Sequence, residues 1–98
     1  MSILITAATT AEAYQLKNKL NSDDIILGDH LELPELMLKT GKMVKLPDPA
    51  SNAYSHQMLT LCLDRNIGVI YPLRDNERLL LEEAGLLFEE YGIKILTI

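Results

Sequence analysis

Five polar side chains, in two short stretches, have the types and placing for chemistry. Thr9 and Thr10 sit where an apolar run, Ile3-Leu4-Ile5, gives way to a helical pattern. Arg74, Asp75 and Glu77 follow a second apolar run, Ile67 to Tyr71, and a proline. An arginine with two acids can orient a polar substrate or dock a neighbouring domain. Threonines at a helix start leave backbone amides free to hold a carboxylate or phosphate. Each group also has a plainer reading. Thr9 can cap its helix, with Glu12 three residues on completing a capping box. Asp75 can cap the next helix, Glu77 can be a first-turn acid favoured by the helix dipole, and Arg74 can lie solvated.

Asp29 stands 20 positions after Thr9, the distance at which a dinucleotide fold places its ribose-binding acid. That fold also needs G-x-G-x-x-G, so that backbone can approach a pyrophosphate. Here the loop reads Thr6-Ala7-Ala8-Thr9-Thr10-Ala11, without a glycine, and Cβ atoms block the approach. The spacing of Asp29 therefore counts for little by itself. His30 and His56 lack companions at ligand spacing, so no metal site is expected. Cys62 falls on the apolar stripe of a helical pattern and reads as a buried, inert thiol. There is no P-loop, H-E-x-x-H or G-x-S-x-G. A response-regulator receiver needs acids after its first strand, where this chain has alanines and threonines.

The 98 residues suit one domain, residues 1–98, with a core of Leu, Ile and Val, since the chain has no Trp and one Phe. A formal charge of −5 repels phosphate backbones, so no nucleic-acid partner is expected. No apolar run reaches the ~18 residues that span a bilayer, so no membrane partner is expected either. The single cysteine excludes an internal disulfide and fits a reducing cytoplasm.

The elements that position these residues follow from the pattern. Ile3-Leu4-Ile5, Ile25-Ile26-Leu27, Met43 to Leu46, Ile67 to Tyr71 and Ile93 to Ile98 read as strands, the third at an edge because of Lys45. Ala13, Leu16 and Leu20 share one face of a first helix. Pro34 can open a short helix that turns Leu36 and Met37 inward and stops at Gly41. Asp48-Pro49 reads as the start of a helix whose Tyr54, Met58, Leu61 and Cys62 face the sheet, with Arg65 snorkelling at its end. Asn66 suits the left-handed residue that closes it. Leu80, Ala84, Leu87, Phe88 and Tyr91 line one face of a single long last helix, stopped by Gly92. Strands alternating with helices imply a three-layer Rossmann-like sandwich with a mostly parallel five-stranded sheet. In such sheets ligands bind beyond the carboxyl ends of the strands, where strand order reverses. The loops at Thr6–Thr10, Gly28–His30 and Pro72–Glu77 should meet there.

Taken together, Ile3-Leu4-Ile5-Thr6, Gly28-Asp29, Val44-Lys45-Leu46-Pro47, the Tyr54 helix with Leu59 to Leu63, Ile67-Gly68-Val69-Ile70-Tyr71-Pro72 with Asp75 and Glu77, and Phe88-Glu89-Glu90-Tyr91-Gly92-Ile93 carry a resemblance. The chain resembles the N-terminal pre-ATP-grasp domain of the ATP-grasp superfamily, most nearly in proteins similar to the carbamoyl phosphate synthase large subunit. The resemblance implies a non-catalytic domain packed against an ATP-grasp domain, in cis or in trans. That partner would bind ATP and Mg²⁺ and form an acyl-phosphate, so no cofactor is expected in this chain. Carried over by position, Thr9, Thr10, Arg74, Asp75 and Glu77 would contact substrate. The missing glycines of the first loop depart from the family pattern. No residues past the fifth strand, which closes at Ile98, are present to supply ATP-grasp lysines and metal-binding acids. Activity as an ATP-dependent carboxylate–amine ligase is therefore not expected of the chain alone. The alternatives are a stand-alone small-ligand module and a self-associating structural domain, with a homodimer expected.

Overall fold

The computed structural model describes residues 1–97. Ile98, the last residue of the expected fifth strand, lies outside the described residues. The chain runs β1 (Ser2–Ile5), α1 (Ala11–Leu20), β2 (Ile25–Asp29), α2 (Glu35–Lys39), β3 (Met43–Lys45), α3 (Tyr54–Asp64), β4 (Ile67–Tyr71), α4 (Asp75–Glu83), α5 (Gly85–Glu90) and β5 (Lys94–Ile95). The five strands form one sheet in the order β3-β2-β1-β4-β5, and every pairing is parallel. The architecture is the expected α/β, three-layer Rossmann-like sandwich. No helix among the described residues is long and apolar enough to cross a membrane.

Two apolar clusters hold the layers together. Tyr54, Met58 and Cys62 of α3, Leu81 of α4 and Phe88 of α5 pack with Leu4, Val44 and Ile70 on one face. Ala13 and Leu16 of α1 pack with Ile5, Leu27 and Met43 on the other. Alternate residues of each strand thus serve opposite faces, and both faces are apolar, as a parallel sheet requires. Gly28 makes a close approach possible within β2. A Cβ there would lie 2.8 and 2.9 Å from side-chain atoms of the buried Leu46. Asn66 (φ 55°) closes α3 in the left-handed conformation expected of it, and Gly92 (φ 76°), expected to stop the last helix, follows α5 in that conformation too.

Four local expectations need correction. The cap of α1 is Thr10, not Thr9: its hydroxyl accepts from the Ala13 amide at 3.4 Å, while Thr9 is engaged elsewhere. Asp48 does not start α3. Its carboxylate accepts from the Ala50 amide at 2.9 Å in a separate turn, and the helix begins at Tyr54. The last helix is two. α4 ends at Glu83, Ala84 caps both helices, and α5 starts at Gly85, a weak helix former, so the apolar line shifts. Glu77, Leu81 and Phe88 become the buried members and Tyr91 is left exposed. In α2, Leu36 points to solvent, Met37 is half-buried, and Leu33 ahead of the helix takes the buried position.

Candidate functional site

The chain builds β1, β2 and β3 outward in one direction, then crosses back to place β4 on the other side of β1. The loops after β1 and β4 therefore diverge at the carboxyl edge, which is where such sheets bind ligands. The β2 loop joins them there. Asp29, the last residue of β2, is completely buried. Its Oδ2 accepts from the Thr9 amide at 3.1 Å, from the Thr9 hydroxyl at 2.8 Å and from Arg74 Nη2 at 2.8 Å. Its Oδ1 accepts from the Leu31 amide at 3.3 Å. Arg74 Nη2 also donates to the Thr9 hydroxyl at 3.1 Å. Below this, the Thr6 hydroxyl accepts from the Leu73 amide at 2.8 Å, a second tie between the β1 and β4 loops.

The loop amide that seemed free for a ligand phosphate thus holds a carboxylate of the chain itself. Ala7 helps to set this geometry. It adopts a left-handed φ of 56° while buried, a conformation unusual for a residue with a Cβ. The Ala8 amide then donates to the Gly28 carbonyl at 3.0 Å.

Beneath Arg74 lies a second buried acid. Glu77, in the first turn of α4, points inward rather than to solvent and is fully buried. Its Oε2 accepts from the Tyr54 hydroxyl of α3 at 3.1 Å. Its Oε1 faces Arg74 Nε at 3.7 Å and His30 Nδ1 at 3.8 Å, both beyond hydrogen-bond reach. These three atoms are buried and none has a hydrogen-bond partner. His30 Nδ1 also lies 3.5 Å from Asp29 Oδ1.

The two acids are tuned in opposite directions. Burial works to raise the Asp29 pKa, but the bonds from Arg74, Thr9 and Leu31 outweigh it and hold the group at about 2. Burial is also the largest influence on Glu77, and the Asp29 charge adds to it. The Tyr54 hydroxyl and Arg74 pull the other way but do not prevail, and the group is pushed up to about 7. Tyr54 is itself raised far above the ordinary phenol range, by burial first and then by Glu77. The cluster can therefore keep Asp29 ionised while Glu77 gains or loses a proton near neutrality. His30, whose Nδ1 lies 3.8 Å from Glu77, is itself partly exposed.

Above the cluster is an open depression of about 640 Å³, lined by Ala7, Thr10, Glu12, His30, Leu73, Arg74, Asp75 and Asn76. The five residues picked from the sequence divide between these levels. Thr9, Arg74 and Glu77 belong to one connected network. Thr10 caps α1 and lines the depression. Asp75 stands at its rim, mostly solvated and 3.6 Å from Arg78, and is not the cap of α4, whose N-cap is Arg74. Arg74, read in the plainer alternative as solvated, is instead paired and three-quarters buried.

No protein-family model matches this chain, and no curated protein matches it either. The site therefore stands on its own geometry. That geometry adds Asp29, His30 and Tyr54 to the residues taken from the loops. Asp29 had a signal, its spacing from Thr9, but the missing glycines removed the only partner considered for it. Tyr54 had none, since it reads as one more member of an apolar stripe.

Cys62, on α3, lies outside the cluster. It is fully buried and burial pushes its thiol up to about 12, which leaves it unreactive.

Proposed function

We propose that this is a non-catalytic, substrate-side domain of an ATP-grasp type of ligase, working beside an ATP-grasp domain carried in the same chain or a separate one. The observation that supports the reading best is the tie across the switch point. Arg74, Asp29 and Thr9 lock the first and fourth βα loops into one preformed wall, and the depression above that wall is lined by polar groups of both loops. A fixed polar wall is what a substrate-positioning domain contributes to a reaction run by its neighbour. In this reading His30 and Arg74 orient an anionic or polar substrate, and Thr10 and Asp75 bound it. ATP, Mg²⁺ and the acyl-phosphate chemistry belong to the neighbour. The free, buried Cys62 is in keeping with a reducing compartment such as the cytoplasm.

Calorimetric titration of the chain with Mg·ATP, and separately with small carboxylates and amino acids, tests the proposal. No heat is expected from Mg·ATP. A carboxylate or amino acid should give heat that disappears in His30→Ala, a partly exposed change that leaves the Asp29–Arg74 pair in place. Nucleotide turnover by the chain alone would refute the reading. Micromolar affinity for a carboxylate without any ATP-grasp partner would favour a stand-alone ligand module, since the depression is built wholly from this chain.

A further inference from the structure

Three buried polar atoms meet without bonding. Glu77 Oε1 faces Arg74 Nε at 3.7 Å and His30 Nδ1 at 3.8 Å, and none of the three has a hydrogen-bond partner. Leaving buried polar atoms unpaired is costly, so a small closure is favoured. Which contact closes depends on what each partner is free to do. Arg74 is pinned, because its Nη2 already donates to Asp29 and to Thr9. It also keeps its charge in proteins, so it cannot exchange a proton with Glu77. His30 Nδ1 has no bond to break, and a shift of roughly 0.8 Å brings it within reach of Oε1.

The other groups around the pair do not compete for its proton. Tyr54 of α3 donates to Glu77 Oε2, and burial keeps its phenol, and the Cys62 thiol on the same helix, in the protonated form. Asp29 of β2, against its burial, is kept ionised by Arg74 and Thr9. Its Oδ1, 3.5 Å from His30 Nδ1, accepts from the Leu31 amide. On α4 itself, Asn76 turns its side-chain oxygen to the Glu77 amide, and Arg78 faces Asp75 and Glu82. Toward the depression, His30 shares the lining with two exposed acids, Glu12 of α1 and Asp75 of α4.

We propose that His30 and Glu77 hold one proton between them, and that this proton decides what His30 offers to a ligand in the depression. With Nδ1 buried against the acids, Nε2 is the ring nitrogen on the open side. While the pair holds the proton, the Glu77 carboxyl donates to Nδ1, or its carboxylate accepts from the imidazolium. Nε2 carries a hydrogen either way. When the proton is lost, the Nε2 hydrogen leaves to water, Nδ1 keeps or takes the other one, and Nε2 is left with a lone pair. A carboxylate ligand meets a donor in the first state and a lone pair in the second. Burial, which pushes Glu77 up to about 7, puts the change near neutrality. The choice of a carboxylate as ligand rests on the proposed function; the proton pair does not.

NMR of the chain labelled with ¹⁵N and ¹³C tests the pair without a ligand. From about pH 5.5 to 8.5, the Glu77 carboxyl carbon and His30 Nε2 should change over one common midpoint, Nε2 losing its hydrogen while Nδ1 keeps one. Tyr54→Phe removes a hydrogen bond to Glu77 and none to His30, so both signals should move up in pH together. Separate midpoints in the wild type, an Nε2 that keeps its hydrogen at the upper pH, or a Tyr54→Phe shift in Glu77 alone would overturn the proposal. Should Tyr54→Phe not fold, the wild-type midpoints decide. Calorimetry with acetate as the probe reads the consequence. Its affinity should fall about tenfold from pH 6 to pH 8, as the protonated fraction of the pair falls. Equal acetate affinity at both pH values would also overturn the proposal. No acetate heat at either pH, with the two NMR signals still changing together, upholds the pair and fails the carboxylate reading of the depression.

Discussion

At the scale of single residues, Asp29 decides the most. It is a fully buried anion whose only cationic hydrogen-bond partner among the described residues is Arg74. Removing one partner of such a pair costs more than the pair contributes, because the survivor stays buried and charged. Arg74→Ala should therefore destabilise the domain by about 2–3 kcal/mol, somewhat below the fully buried case because the guanidinium is a quarter exposed. Denaturant titration at neutral pH checks this, and a loss under half a kilocalorie would mean that the two Thr9 bonds hold Asp29 unaided. Tyr54→Phe makes a different prediction. It removes the hydroxyl that lowers the Glu77 pKa, so that pKa should rise further, and the variant should be hurt more at pH 8 than at pH 5. Equal losses at both values would show that the bond matters only through packing. Thr9, Arg74 and Glu77 were legible as site candidates because loop position alone marks them. Asp29 was visible, but the ribose weighed as its partner was set aside for want of the glycines, and no other partner was suggested. Its neighbour is an amide and a guanidinium of the same chain, and no spacing rule describes a network closed by three loops.

At the scale of elements, the strands were nearly all readable, because an unbroken apolar run is a strong signal for a strand covered on both sides. Helix ends were harder. Asp48-Pro49 has the composition of a helix start, but the aspartate spends its carboxylate on a local turn and α3 begins later without a side-chain cap. The α4–α5 break was hidden because both halves keep apolar residues at helical spacing. Two glycines, both unremarked for packing, yield opposite predictions. At Gly28 an added methyl meets the buried Leu46 at under 3 Å, so Gly28→Ala should cost about 1–3 kcal/mol. At Gly85 an added methyl meets nothing within 4 Å, and the residue is helical, so Gly85→Ala should stabilise by about 0.5–1 kcal/mol. Thermal melts of the two variants should move in opposite directions. A rise for Gly28→Ala would mean that β2 and the Leu46 segment are packed less closely than their contacts indicate.

At the scale of the whole molecule, the two buried acids together set where the domain is most stable. Asp29 has a folded pKa below its unfolded value of about 4, so its contribution is present above pH 4 and lost as pH falls toward 2. Glu77 has a folded pKa of about 7, above its unfolded value of about 4.5, so the folded state holds the extra proton between those limits. Its contribution is complete below pH 4.5 and is lost as pH rises through 7. The shifts correspond to on the order of 2–4 kcal/mol each at about 1.4 kcal/mol per unit. The two windows leave a narrow range, about pH 4 to 4.5, where neither contribution has been lost. The sequence pI of about 4.9 lies just above that range, and there the net charge, −5 at pH 7, and its self-repulsion vanish. Stability should therefore peak near pH 4 to 5 and decline toward neutrality, whereas most proteins have their maximum between about pH 5 and 8. Urea unfolding measured in steps from pH 3 to pH 8 checks the shape of the curve. Glu77→Gln should flatten the limb above pH 4.5 and leave the acid limb alone. Asp29→Asn should do the converse. A wild-type curve that climbs steadily from pH 4 to pH 7 would mean that Glu77 is ionised in the folded state at low pH, with His30 and Arg74 closed upon it as donors.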